Sequence, residues 1–169
     1  MPEAALCWWR WLWLSAAVVA LDQLTKVIVL ATFTRGEMLP LLPVFSLVLT
    51  FNPGAAFSFL AQETGWQRWF FLGLALGAAV LLSFMLRRGG SAWSNVGLAL
   101  IIGGAIGNAI DRAWLGEVVD FLLVHYGGWY FPAFNVADSA ITLGAGALIV
   151  DSILQHRAAA AESAAAQRK

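Results

Sequence analysis

"WLWLSAAVVALDQLTKVIVLATF", residues 11–33, decides what solvent this chain folds in. A stretch of this length, apolar but for Asp22, Lys26 and a few small polar residues, matches the hydrocarbon thickness of a bilayer, which takes about 17 to 25 residues of helix. It is too long for a cleaved leader, carries two charges, and lacks a clear small-residue cleavage site. Asp22 and Lys26 stand at i and i+4, one helical turn apart, where they can pair. Each ionisable group at mid-bilayer costs on the order of 3 kcal/mol on insertion scales, so such groups either neutralise one another or serve a site. Both readings remain open for this pair.

Working outward, three further runs reach spanning length: roughly 69–86, 93–110 and 136–154. Of the 169 residues, 60% are hydrophobic and 12% charged, and nine are Trp. Soluble domains carry roughly twice that charged fraction. The ten acidic and ten basic residues cancel, so net charge points neither to nucleic acid nor to an acidic substrate. The single cysteine, Cys7, excludes an internal disulfide and a Cys-based metal cluster. The expectation is one integral membrane domain over 1–169, with outer segments 34–68 and 111–135 and a tail 155–169. Arg10, Arg87, Arg88, Arg157, Arg168 and Lys169 fall on one side if both termini share a compartment, against Arg35 and Arg68 opposite and Arg112 at the border. The positive-inside bias therefore puts both termini in the cytoplasm. The Ala-rich tail reads as a solvated appendage.

In "LPVFSLVLTFNPGAAFSFL", residues 42–60, Phe45, Leu47, Leu49 and Phe51 alternate with Ser46, Val48 and Thr50, the two-residue period of a strand. Pro53 and Gly54 supply turn chemistry, and Phe57 and Phe59 restart the alternation, which predicts a small outer β-hairpin turning at "NPG". Tyr126, Trp129 and Tyr130 in the second outer segment suit the headgroup layer.

"GGAIGNAIDR", residues 103–112, places Gly104, Asn108, Asp111 and Arg112 roughly on one helical face, with Gly103 and Gly107 as a close-approach motif. Helix packing explains the glycines, and snorkelling at the boundary explains Asp111 and Arg112, but Asn108 is left without a partner. In "FNVADSA", residues 134–140, Asn135 can cap a helix with Asp138 completing a capping box. Alternatively, Asp120 of "VVDF" returns close to Asp138, and two carboxylates in a desolvated site share one proton, the arrangement of aspartyl peptide hydrolysis. A zinc site is disfavoured, since His125 is the only outer histidine and no H-E-x-x-H occurs. A Ser–Lys pair, Ser139 or Ser58 with Lys26, has no spacing to support it.

"LDQLTK", "FNPGAAFSFL", "GGAIGNAIDR", "VVDF" and "FNVADSAITLG", in that order and spacing, resemble the lipoprotein signal peptidases, the type II signal peptidases of bacterial cytoplasmic membranes. Each motif alone is weak; five in order are specific, and they cover nearly the whole chain except its first ten residues and its tail. Pro53 and Val136 occupy positions that the family varies. The resemblance implies four transmembrane helices with a β-cradle and a short helix on the outer face. It implies an aspartyl endopeptidase that removes the signal peptide of diacylglyceryl-modified prolipoproteins, cutting before the lipidated cysteine. Asp120 and Asp138 match the catalytic pair. Asn52, Gly54, Gly104, Asn108, Arg112 and Asn135 match other functional positions, with Asp22 and Lys26 in the first-span motif. The family needs no metal or other cofactor, works among membrane lipids, and is inhibited by the cyclic peptide globomycin. Two other classes compete on the residues alone. A proton-coupled transporter favours mid-membrane charges, and a non-catalytic scaffold leaves Asp120 and Asp138 unexplained.

Overall fold

A computed structural model describes residues 8–54 and 65–167. In chain order the elements are α1 (Leu12–Thr32), β1 (Met38–Leu42), β2 (Phe45–Asn52), α2 (Trp66–Arg87), α3 (Ala92–Trp114), β3 (Val118–Tyr126), β4 (Trp129–Tyr130) and α4 (Val136–Ala166). All four helices are long and apolar enough to cross a membrane. The polarity of α1 is inverted relative to a soluble helix. Its buried stripe is Ser15, Val18, Asp22, Lys26 and Val29, while Leu21, Leu24, Val27 and Ile28 point outward. Lipid accepts the apolar face, so the interior is free to hold the polar one.

α3 is the central helix: α1, α2 and α4 all pack against it. Glycine makes this possible on two sides. A Cβ on Gly103 would lie 2.8 Å from the Ser15 carbonyl oxygen of α1, and one on Gly107 would lie 2.7 Å from Asp22 Oδ2. On the neighbouring face, a Cβ on Gly104 would collide with the Ala137 carbonyl of α4. The close-approach motif expected at Gly103 and Gly107 is thus the α1 contact.

Three helices run past their expected spans, α2 only slightly at Trp66–Arg87. α3 continues through Arg112 to Trp114, and α4 continues through the Ala-rich tail to Ala166 as exposed helix, alanine being the best helix former.

The strands form one antiparallel sheet in the order β1-β2-β3-β4. The expected small outer β element is present. β1 and β2 form a hairpin through residues 43–44, and β3 takes the other edge of β2, while the arm expected after "NPG" lies outside the described residues. Phe57 and Phe59 lie outside the described residues, as do Cys7, Ser58, Arg168 and Lys169. No short outer helix occurs among the described residues. The two-faced alternation also breaks: Ser46 and Leu49 are both buried, because the register shifts between Leu47 and Thr50. Such a bulge inserts one extra residue and re-aims the side chains beyond it. The strand β3 was not foreseen in the second outer segment. Val29 of α1, Leu49 of β2, and Val119 and Phe121 of β3 form the cluster that seats the sheet on the bundle. Tyr126, Trp129 and Tyr130 are exposed.

Candidate active site

Asn135 is the N-cap of α4, and its side chain accepts from Asp138 N at 2.9 Å while its own N–H donates to Asp138 Oδ2 at 3.3 Å. The capping box expected from "FNVADSA" is therefore formed. It coexists with the second reading. Asn135 Nδ2 also donates to Asp120 Oδ1 at 2.8 Å, so one amide side chain touches both aspartates. Asp120 stands on β3 between Val119 and Phe121, and is only 3% exposed. Asp138 receives a further donor from Asn108 Nδ2 at 2.7 Å, which supplies the partner that Asn108 lacked in the sequence.

Burial pushes the Asp120 carboxyl up to about 7, with the charge of Asp138 adding to the rise. The Asn52 side chain, Lys26 and Asn135 oppose it by favouring the charged form. Asn52 ends β2, and its Oδ1 accepts from Gly54 N at 3.1 Å, which leaves its amide NH2 as the group facing Asp120.

Behind the aspartates lies a buried ionic cluster. Lys26 Nζ meets Asp22 Oδ2 at 2.8 Å, Asp111 Oδ2 at 2.7 Å and Asn108 Oδ1 at 3.1 Å. The expected Asp22–Lys26 pair is present, but it is half of a larger arrangement. Asp111, read from the sequence as a boundary residue, is buried within it. Gln23 also belongs here, donating to Asp111 Oδ1 at 3.0 Å, and no sequence signal singled it out. A signal for Asp111 did exist. Gly103, Gly107 and Asp111 repeat every four residues on the side facing α1, whereas Gly104, Asn108 and Arg112 repeat on the side facing α4. The single face expected for Gly104, Asn108, Asp111 and Arg112 is two adjacent faces.

Arg112 Nη2 donates to the Gly54 carbonyl at 2.8 Å, and its guanidinium lies 5.3 Å from the centre of the Phe71 ring. The turn after β2 is thereby tied to α3. The Ser–Lys alternative fails for Ser139, whose hydroxyl donates to the Asn135 carbonyl at 2.9 Å while the Lys26 ammonium is fully engaged elsewhere. His125 pairs with Ser46 Oγ at 2.8 Å across the sheet. Among the described residues no three His, Cys, Asp or Glu side chains are grouped as metal ligands.

A cavity of about 840 Å³ opens onto these groups. Phe71, Leu74 and Ala78 of α2, Ile101 and Ala105 of α3, and Ile141 of α4 make its apolar walls, with Asn52, Asn108, Arg112 and Asp138 at its polar end.

The family model for Signal peptidase (SPase) II matches residues 14–154 of this sequence. The chain belongs to the signal peptidase II family. It is 51% identical over 148 residues to a lipoprotein signal peptidase of Burkholderia ambifaria, covering 87% of this chain and 89% of that one. Similarity to the lipoprotein signal peptidase of Burkholderia multivorans is equal, 51% over 150 residues, covering 88% and 90%. The fold is that of a bacterial membrane enzyme solved by the in meso method at 2.3 Å, with a TM-score of 0.77 and 31% identity over 86% of this chain and 88% of that one. A second such structure, at 1.9 Å, gives 0.73 and 30% over 83% and 90%. The role of the signal peptidase II family is removal of signal peptides from prolipoproteins. Membership makes the chain a protease, and membership together with its four apolar helices makes it a multi-pass protein of the inner membrane.

Proposed function

We propose that this signal peptidase II is an aspartic endopeptidase in which Asp120 and Asp138 share one proton and hydrolyse the bond before a diacylglyceryl-modified cysteine. The observation that carries the reading is that Asn135 bonds both carboxylates, donating its side-chain Nδ2 to Asp120 Oδ1 and its backbone N–H to Asp138 Oδ2, with Asp138 at the polar end of an apolar cavity. Asp120, with its carboxyl raised to about 7, holds the shared proton. Asp138, supplied with N–H donors by Asn108 and Asn135, is the ionised partner. In the reaction Asp138 takes a proton from water as the water oxygen bonds to the scissile carbonyl carbon. Asp120 gives its proton to the carbonyl oxygen. Collapse of the tetrahedral intermediate then breaks the C–N bond, the proton on Asp138 passes to the leaving nitrogen, and Asp120 recovers its own.

The apolar walls suit the residues of a signal peptide and the acyl chains of the modified cysteine, which stay in lipid while the bond is cut at the membrane boundary. The polar end of the cavity is placed at the outer face, with both termini cytoplasmic, in accord with the basic bias of the opposite side. Globomycin, a cyclic peptide, would occupy the same cavity and compete with substrate. Asn52 and Arg112 support the site by lining this end of the cavity, Gly54 by holding Arg112 through its carbonyl, and Gly104 by letting α4 approach α3.

The test uses purified Asp120→Asn and Asp138→Asn enzyme in nanodiscs with a lipidated prolipoprotein. Each substitution is nearly isosteric, so both should fold and neither should cleave. Substantial cleavage by either folded variant would rule out the pair. Wild-type activity should survive a strong chelator, and its loss on chelation with recovery on adding zinc would replace the proton-sharing mechanism.

A further inference from the structure

The buried cluster behind the aspartates has a symmetry that the reaction itself does not require. Asp22 Oδ1 accepts from Ala137 N at 2.9 Å, the backbone N–H immediately before Asp138. Asp111 Oδ2 accepts from Val119 N at 3.0 Å, the backbone N–H immediately before Asp120. Each carboxylate also meets the same ammonium, Lys26 Nζ, at 2.8 and 2.7 Å. Lys26 therefore joins the backbone approaches to the two aspartates, one on α4 and one on β3.

An ammonium carries three N–H donors and no acceptor. Here all three are used, the third on Asn108 Oδ1 at 3.1 Å. Because Lys26 can only donate, it fixes which end of the Asn108 amide faces it. The opposite end, the NH2, is then directed at Asp138 Oδ1. Lys26 is 2% exposed, Asp22 0% and Asp111 3%, so neither water nor salt competes for these contacts. Hydrogen bonds to ionised groups are the strong, directional class, and burial in low dielectric stiffens them further.

We propose that Lys26, Asp22 and Asp111 form a positioning unit that sets the separation and orientation of Asp120 and Asp138, with Asp111 as the residue that holds β3 in place. None of the three lines the cavity, so the unit acts on the chemical step through the aspartates and leaves substrate binding alone. The proposal rests on Asp120 and Asp138 being the catalytic pair.

Asp111→Asn is the informative variant. It keeps size and shape but cannot accept from Val119 N, Lys26 and Gln23 together, since one of its two terminal atoms becomes a donor. Measured on folded enzyme in nanodiscs with lipidated prolipoprotein, kcat should fall by about 10- to 100-fold, as small misplacements of catalytic groups do. KM should stay within about twofold, because binding is untouched. A residue needed only for folding would instead lower the yield of folded enzyme while leaving kcat per folded molecule unchanged, and that outcome overturns the proposal. A rise in KM at constant kcat also overturns it, by assigning Asp111 to substrate binding. Should Asp111→Asn fail to fold, Gln23→Leu removes the amide that donates to Asp111, to Asp22 and to the Gly107 carbonyl, and has no contact with Asp120 or Asp138. Its kcat should fall by roughly threefold at unchanged KM, and a wild-type kcat would overturn the proposal. Asp120→Asn and Asp138→Asn run beside these variants. If both abolish cleavage while Asp111→Asn retains wild-type kcat, only the positioning unit fails; if either cleaves, the catalytic pair fails first.

Discussion

Raising the pH should remove both the activity and part of the stability of this enzyme, through one carboxyl. Asp120 lies 3% exposed on β3, faces the Asp138 charge, and is raised from 3.8 to about 7. If its proton is the general acid, the active fraction follows its protonation. That fraction falls from about one half at pH 7 to about one hundredth at pH 9, roughly a fiftyfold loss of rate. Because the two aspartates are coupled, the apparent value belongs to the pair. The stability sign comes from linkage. A carboxyl whose folded value is raised holds its proton in the folded state after the unfolded chain has released it. Its contribution is full below about pH 4 and is lost as pH rises through about 7, a change of at most about 4 kcal/mol for a rise of this size. Asp120→Asn lacks the titrating group. It should therefore be inactive at every pH, and should exceed wild type in melting temperature by more at pH 9 than at pH 5. The assays are initial cleavage rate against pH in nanodiscs, and thermal unfolding of both proteins at the two pH values. A wild-type rate that stays flat from about pH 6 to 9, or a melting difference independent of pH, would refute the assignment of the proton to Asp120.

Gly104→Ala should push α4 away from α3, because the new Cβ collides with the Ala137 carbonyl and lies 2.7 Å from Ile141 Cγ1. The overpacking should cost about 1 to 3 kcal/mol and weaken the Asn108–Asp138 hydrogen bond; an unchanged melting temperature and kcat would contradict this packing. In a Cys7→Ser background, single cysteines placed between Arg35 and Gln67 should react with impermeant reagent only from outside, and cysteines at Gly89 or Gly90 only from the cytoplasm. Labelling in the reverse sense would invert the topology.

What the sequence determined by itself was the set of elements whose signal is local. Spanning length and apolarity mark the four helices without knowledge of any neighbour, because lipid imposes one requirement on every span. The N-cap of α4 was equally legible, since Asn135 and Asp138 satisfy each other within three residues. The period of β2 was local too, but its partners were not. Alternation says that a strand exists, and only the folded chain shows β1 and β3 at its edges and the bulge that buries both Ser46 and Leu49. Resemblance to known enzymes pointed to Asp120 and Asp138, yet their convergence depends on β3 docking over Val29 and Leu49 beside the start of α4. The largest element hidden from the sequence is the Lys26 cluster. Its charges come from α1 and α3, and spacing shows the Asp22–Lys26 pair within α1 and Asp111 in line with Gly103 and Gly107 within α3, but not that these two faces meet. Asp111 turns toward Lys26 because Gly103 and Gly107 let α1 approach the α3 backbone, and its buried carboxylate is met there by that ammonium, the Gln23 amide and the Val119 N–H.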